Sequence, residues 1–164
     1  MRIFTIEVIA EVQNGMRNDR GPRSSGYIPF DGGPSPYVVP IRSEVLRNDN
    51  FRATVWTGEN LQATVMSIPP GSDVGLELHP DVDQFFYILL GRGNVMMGEA
   101  MDNLTFESPL IAGDAVFVPA GTWHNVVNIG RTPLKFLTIY APPEHPPGTV
   151  HTTKAEAEEA EGAR

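Results

Sequence analysis

The chain of 164 residues contains no cysteine. Disulfide bridges, thiolate zinc ligation, iron–sulfur ligation and thiol nucleophiles are therefore excluded, and a metal site has to use His, Asp, Glu, Asn or Gln. Lysine is nearly absent, since only Lys135 and Lys154 accompany the arginines, and the net charge is -8. This acidic balance argues against nucleic acid and anionic membranes as partners, because both bind clustered Lys and Arg.

Long apolar runs are also missing. The apolar stretch from Ile3 to Val12 is interrupted by Glu7 and Glu11, and no small-residue cleavage site follows it. The pattern predicts neither a signal peptide nor a membrane-spanning helix, so we expect a cytoplasmic protein. An apolar stripe with a 3.6-residue period is absent as well, which argues against a helical body.

Composition divides the chain into three parts. Residues 1–40 include a run rich in Gly, Pro, Ser and Arg, which predicts an extended arm that packs on the body or on a partner subunit. Residues 41–141 form the predicted body. Residues 142–164 begin with a proline-rich stretch and end in KAEAEEAEGAR, which can form a short helix. Because most faces of that helix carry charge, we expect this tail to be solvated or frayed.

The body has the pattern of nine short strands, rich in β-branched and aromatic residues and bounded by Gly, Pro, Asn or Asp. The predicted strands are Phe51–Trp56, Leu61–Ile68, Leu76–His79, Gln84–Leu90, Asn94–Met97, Leu104–Glu107, Ala115–Pro119, His124–Asn128 and Leu134–Tyr140. Such a series predicts an all-β sandwich or barrel. We expect a homodimer, because the arm and the exposed strand edges need cover.

Polar residues with a regular spacing occur in two segments of the body. Glu77 and His79 are two apart on a predicted strand, so their side chains point the same way. Residues 80–83 would turn the chain, Gln84 would begin the returning strand, and His124 would open a further strand after a Pro–x–Gly turn. These four side chains could converge inside a barrel and bind a divalent ion of intermediate hardness, such as Mn, Fe, Co, Ni or Zn.

The two segments resemble the paired motifs of the cupin superfamily, G-x5-H-x-H-x(3,4)-E-x6-G followed by G-x5-P-x-G-x2-H-x3-N. Here they run from Gly71 to Gly91 and from Gly113 to Asn128. The resemblance implies a small single-domain cupin with a double-stranded β-helix (a jelly roll) around one divalent transition metal ion. More narrowly, the chain is similar to small bacterial cupins that are often labelled mannose-6-phosphate-isomerase-like.

Two positions depart from the usual cupin pattern. Glu77 stands where the first histidine is usual, and Gln84 stands where the glutamate is usual. The single carboxylate leaves a divalent ion with net positive charge, which favours Lewis-acid chemistry and open positions for water or a bidentate substrate. Gln84 either ligates the ion or hydrogen-bonds a ligand. Small cupins that open or tautomerise unsaturated uronates also carry Gln at the matching position.

Residues that alternate with the predicted ligands are expected to line the interior. These pocket-lining candidates are Phe86, Ile88, Leu90, Val126 and Asn128. Arg52 is a further candidate, as a clamp for a carboxylate or phosphate, although most arginines are exposed. Tyr140 is expected in the core or at the dimer interface. His145 and His151 lie in the proline-rich tail, and we expect them at the surface.

Three functions fit these residues. The first is an isomerase, tautomerase or lyase acting on a sugar or keto acid, with an ion that stabilises an enolate. The second is a non-haem iron dioxygenase, because two histidines and one carboxylate match the facial triad of such enzymes. The third is a non-catalytic cupin that only binds a small molecule.

Overall fold

The computed structural model describes residues 26–162. The predicted β-like stretch from Ile3 to Val12 lies outside these residues. In chain order, the elements are α1 (Ile41–Arg47), β1 (Arg52–Thr57), β2 (Gln62–Ile68), β3 (Asp83–Leu90), β4 (Arg92–Gly98), β5 (Phe106–Ile111), β6 (Ala115–Val118), β7 (Trp123–Asn128), β8 (Leu134–Ala141), β9 (Val150–His151) and α2 (Lys154–Gly162). Neither helix is long and apolar enough to span a membrane.

The strands form two antiparallel sheets. One sheet has six strands in the order β6-β3-β8-β2-β1-β9, and the other has three in the order β5-β4-β7. Their inward faces share one apolar cluster, since Phe86 and Phe136 of the larger sheet belong to the same core as Val95 and Val126 of the smaller one. The predicted all-β double-stranded β-helix is therefore confirmed.

Strict alternation along β3 and β7 directs the residues of both motifs inward. Gln84, Phe86 and Ile88 are buried on β3, while the intervening residues are exposed or half-buried. On β7 the buried positions are His124, Val126 and Asn128. The two strands come from different sheets, so their inward side chains approach each other across the core.

The alternation fails at Leu90. A β-bulge between Ile88 and Leu90 shifts the register of β3 against β8, and Leu90 is 40% exposed. The prediction that Leu90 lines the interior is therefore wrong. A bulge places one extra residue on one strand, so every side chain beyond it changes face.

Helix α1 is an element that the sequence pattern did not predict. It buries Val45 in a second apolar cluster. At the C-terminal end of the helix, the buried Lys135 of β8 donates through Nζ to the carbonyls of Leu46 and Asn48 at 3.0 and 2.7 Å. These contacts satisfy carbonyls that a helix leaves without intrahelical partners. At seven residues, α1 is too short to show a helical period.

The tail contains the expected short helix, α2, but it is not simply solvated. Ala157 is 3% exposed and belongs to the main core cluster. Ahead of α2, the short strand β9 pairs with β1 at the edge of the larger sheet. Charge on most faces of the helix did not prevent it from packing, because a single alanine methyl group is enough to contact the core.

Asn128, the last residue of the second motif, closes the lower end of β7 and does not line an open pocket. Its Nδ2 donates to the carbonyls of Ile68 and Thr132 at 2.8 and 2.9 Å. Its Oδ1 accepts from the N–H of Gly130 at 2.9 Å. The side chain is 1% exposed. If it were removed, each of these backbone groups would lose its hydrogen-bond partner at a buried position that water does not easily reach.

We therefore expect Asn128→Ala to lower the free energy of unfolding by about 2–4 kcal/mol, because a buried group left unsatisfied costs about 1–3 kcal/mol. Urea denaturation followed by circular dichroism measures this change. The exposed Asn103 provides the matched control, and Asn103→Ala should stay within about 0.5 kcal/mol of the wild type. Equal losses in the two variants would contradict the structural role of Asn128.

Candidate metal centre

The segment between β2 and β3 lies antiparallel to β7 and supplies two of the predicted ligands. The N–H of Glu77 donates to the carbonyl of His124 at 2.9 Å, and the N–H of His124 donates back at 3.0 Å. This contact is an isolated bridge and not the predicted strand Leu76–His79. Gly75, at φ 107°, interrupts the extended backbone, and its N–H bonds to the side-chain oxygen of Asn125.

The four predicted ligands lie together inside the barrel. Oε2 of Glu77 lies 3.2 Å from Nε2 of His79 and 3.9 Å from Nε2 of His124. Oε1 of Gln84 lies 2.8 Å from the same His124 nitrogen. Within residues 26–162, the two histidines and Glu77 form a group of three whose ligand atoms all lie within 4.8 Å of one another.

The orientation of His124 leaves one ring nitrogen available to an ion. Nδ1 lies 2.8 Å from the carbonyl of Thr122, and a carbonyl can only accept, so Nδ1 carries the proton. In the neutral ring, Nε2 then holds the lone pair. Oε1 of Gln84 faces this lone pair, while the amide nitrogen of Gln84 donates to the hydroxyl of Thr138 at 3.1 Å. Two acceptors that face each other are stabilised by a shared cation.

The spacing of the donor atoms fits one divalent ion. Ligands bonded at about 2.1 Å to a shared tetrahedral or octahedral ion are about 3.0–3.4 Å apart. The separations here run from 2.8 Å between Gln84 and His124 to 3.9 Å between Glu77 and His124. Imidazole nitrogen combined with one carboxylate suits first-row transition metals and zinc better than calcium or magnesium.

Burial and charge set the protonation of the cluster. Burial by itself would raise the pKa of Glu77, but the hydrogen bond from His79 and the charge of Arg52 hold that pKa below its usual value. Burial would lower the pKa of His79, yet the bond to Glu77 and the charges of Glu77 and Glu144 raise it. Burial lowers the pKa of His124. An ion that binds here therefore replaces a proton shared by Glu77 and His79.

Arg52 contributes to the site in a way that an exposed arginine could not. Its side chain is 1% exposed, and Nη2 donates to Oε1 of Glu77 at 3.1 Å. Because Arg52 holds one carboxylate oxygen, the other oxygen of Glu77 faces the two histidines. The default of an exposed arginine is wrong for Arg52, and the reason is the buried anion beside it.

The other pocket-lining candidates lie at different distances from the ligands. The ring of Phe86 packs edge-on against His124, with centroids 6.3 Å apart. Ile88 and Val126 belong to the apolar core below the cluster, and Asn128 makes the structural hydrogen bonds described above. Leu90 lies outside. The interior thus has a polar ligand cluster above an apolar base.

Three residues near the cluster were not identified from the sequence as part of a site. The ring of Tyr140 packs edge-on against His79, with centroids 5.7 Å apart. Oε2 of Glu144 lies 3.5 Å from Nδ1 of His79. His145 was expected at the surface but is 4% exposed, because Gln62 holds both its N–H and its carbonyl.

No local pattern in the sequence indicates these three residues. Tyr140 pairs with Gln84 in the sheet, so residues at the end of β8 lie beside the start of β3. The register that creates this neighbourhood becomes known only with the pairing of strands distant in sequence.

The chain is similar in sequence and in structure to known proteins. The family described as Cupin domain (Cupin_2) matches residues 64–140. The Bacillus subtilis protein YrkC is 54% identical over 131 residues, covering 80% of this chain and 70% of its own length. The crystal structure of BH2720 from Bacillus halodurans superposes with a TM-score of 0.79 at 54% identity, covering 79% of this chain and 98% of that one.

A relative with a more specific name is the oxalate-binding protein of Thermotoga maritima. It is 40% identical over 74 residues, which cover 45% of this chain and 56% of the relative. The name describes what that relative binds. Together with the fold and the two motifs, these similarities show that the chain belongs to the cupin family.

Proposed function

We propose that the protein binds one divalent transition metal ion and acts on a small oxygen-rich acid by isomerase, tautomerase or lyase chemistry. The observation that carries this proposal is the convergence of the Glu77 carboxylate and one ring nitrogen of each histidine within 4.8 Å. A bound ion would act as a Lewis acid that holds adjacent oxygens and stabilises negative charge developing on the substrate. The oxalate-binding relative supports a keto acid or small dicarboxylate over a neutral sugar.

The residues of the chain orient the donors and exclude water. Arg52 directs Oε2 of Glu77 towards the histidines, and the carbonyl of Thr122 fixes the tautomer of His124. Gln84 supplies either a fourth oxygen donor or a hydrogen bond to a ligand. Phe86 and the apolar base below it keep water from the underside of the site, which strengthens every electrostatic interaction above it.

The second candidate is a non-haem iron dioxygenase. Two histidines and one carboxylate make up the ligand group of such enzymes, and the apolar base can accept a hydrophobic substrate. The third candidate, a cupin that binds without turnover, is favoured by the name of the oxalate-binding relative. All three candidates require the same ligand cluster, so the metal comes first among the tests.

We also infer a homodimer. The outer face of the larger sheet exposes apolar rings on its edge strand, where Phe117 is 72% exposed and packs against Phe85, and apolar surface of this kind is typical of contact sites. Light scattering should give a mass twice 18.0 kDa. A mass of one chain at micromolar concentration would contradict this inference.

Protein purified without added metal should contain close to one divalent ion per chain, and His124→Ala and Glu77→Gln should remove most of it. The measurement is elemental analysis by inductively coupled plasma mass spectrometry. Glu107→Gln is the matched control for Glu77→Gln, because Glu107 is exposed on β5, the edge strand of the smaller sheet. Metal should also raise the melting temperature of the wild type, since an ion that binds only the folded state stabilises it.

The role of Gln84 follows from the same measurement. If Gln84 Oε1 is a ligand, Gln84→Glu should tighten metal binding and Gln84→Met should weaken it about 10–100-fold. If Gln84 only hydrogen-bonds a ligand, both variants should weaken metal binding. Equal metal content in the wild type, His124→Ala and Glu77→Gln would remove this site altogether.

Two assays on the metal-loaded protein distinguish isomerase, tautomerase or lyase chemistry from dioxygenase chemistry. Keto acids, small dicarboxylates and uronates are followed by proton NMR in deuterated buffer, where enolisation exchanges protons beside a carbonyl and decarboxylation removes the substrate signals. In the second assay, oxygen uptake by the iron-loaded protein is measured with diketone and aromatic substrates. We expect exchange or substrate loss that disappears in Glu77→Gln. Oxygen uptake without exchange would favour the dioxygenase.

A further inference from the structure

Helix α2 reaches into the candidate site from the C-terminal end of the described chain. Nη1 of the buried Arg52 donates to Oε1 of Glu161 at 2.6 Å, while Nη2 of the same guanidinium holds Glu77. One cation therefore joins a predicted metal ligand to the last turn of α2. The helix reaches this position because Lys154, in its first turn, pairs with Asp73 of the segment that precedes Glu77.

The group around Arg52 has spare hydrogen-bond donors. Nε of Arg52 is buried and lacks a hydrogen-bond partner in the part of the chain that the structure describes, and so does the hydroxyl of Tyr140. Tyr140 is fully buried, and its ring packs edge-on against His79 with centroids 5.7 Å apart. His79 in turn lies 3.2 Å from the carboxylate of Glu77 that Arg52 binds. Both donors thus belong to the same polar group as the Arg52–Glu161 pair. Buried donors without acceptors are costly in a folded protein, and sites that bind a ligand often contain them.

We propose that Arg52 and Tyr140 form a carboxylate-binding subsite beside the metal ligands, and that the carboxylate of Glu161 occupies it until a carboxylate ligand displaces α2. This proposal rests on the proposed function for the neighbouring ion, but the subsite itself is made of this chain's own donors. An arginine suits the task because it stays charged and its hydrogen bonds to a carboxylate are charge-assisted, which makes them stronger than neutral ones. A small carboxylate carries the same charge and geometry as the Glu161 side chain that it replaces.

The attachment of α2 is weak enough to be reversible. Ala157 is the buried residue of the helix, and one methyl group contributes little apolar burial. The Lys154–Asp73 pair is 30% and 33% exposed, and ion pairs at such positions contribute little because water screens them. In the Arg52 pair, the Glu161 side chain is 39% exposed and so stays open to water on one side. The helix is therefore held by a few contacts, of which the one to Arg52 is deepest.

A tethered competitor lowers the apparent affinity for a free ligand. While Glu161 occupies Arg52, only the molecules with α2 displaced can bind a carboxylate there. The apparent dissociation constant is therefore the intrinsic constant divided by the fraction of such molecules. Glu161→Gln removes the competing charge with little change in shape. It should therefore bind a carboxylate at least about tenfold more tightly than the wild type.

Malonate is the probe, and titration calorimetry on manganese-loaded and metal-free protein is the measurement. Malonate should bind Glu161→Gln more tightly than the wild type, and Tyr140→Phe, which removes only a hydroxyl, should bind it about tenfold more weakly. Glu159→Ala, at an exposed position of the same helix, should bind like the wild type. Malonamide, which lacks the charge, should not bind measurably.

The rarity of lysine supplies an independent readout of α2. The chain has only Lys135 and Lys154, and Lys135 is buried, so a lysine-specific protease should cut folded protein after Lys154. Saturating malonate should accelerate this cleavage several-fold in the wild type. Glu161→Gln should be cleaved quickly with or without malonate, and Glu159→Ala should follow the wild type.

The outcomes separate this proposal from the proposed function. If the protein binds no metal but malonate still accelerates cleavage and Tyr140→Phe still weakens its binding, the metal proposal fails and the subsite stands. If metal binds but Glu161→Gln gains no affinity for malonate, the subsite is wrong while the metal centre stands. Malonate that slows cleavage at Lys154 would also overturn the displacement of α2.

Discussion

The candidate site depends on the carboxylate of Glu77, which is nearly buried and is shared by a guanidinium and two imidazoles. An isolated anion in this position would be costly, because burial removes its hydration. Arg52 offsets that cost on one oxygen, and His79 lies at hydrogen-bond distance from the other. The pairing also fixes the orientation of the Glu77 carboxylate, since the oxygen that Arg52 does not bind is the one that faces the predicted metal position. Removing either partner leaves a buried charge unpaired, which is the most damaging change such a pair can suffer.

The barrel keeps this polar cluster apart from its apolar base. On β3 and β7, the first inward residues are the polar Gln84 and His124, and the next inward positions, Phe86 and Val126, are apolar. Each strand therefore carries a predicted ligand and apolar residues that line the interior, only a few positions apart. Asn128 ends the apolar part by satisfying backbone groups where the chain turns. One alternating pattern thus produces both the low-dielectric environment and the donors that act in it.

The two lysines of the chain both lie at defined structural positions. Lys135 is buried against the carbonyl end of α1, and Lys154 attaches the first turn of α2 to the segment that carries the ligands. The net charge of -8 gives no indication of this arrangement. Much of the acidic surplus lies in α2, yet one of those acids, Glu161, reaches the buried Arg52. Overall charge describes the surface, whereas individual pairs determine the interior.

The sequence by itself determined the strand-rich fold, the two motifs and the four residues that converge, because strand periodicity and turn chemistry act over a few residues. It also indicated the short C-terminal helix. Tertiary structure alone decided the rest. Gly75 and a β-bulge changed the expected conformation of Leu76–His79 and the face of Leu90. Arg52 met Glu161 across a separation of 109 residues, and the end of β8 brought Tyr140 beside Gln84. Such contacts depend on which distant strands pair and in which register, and no local pattern of residue types contains that information.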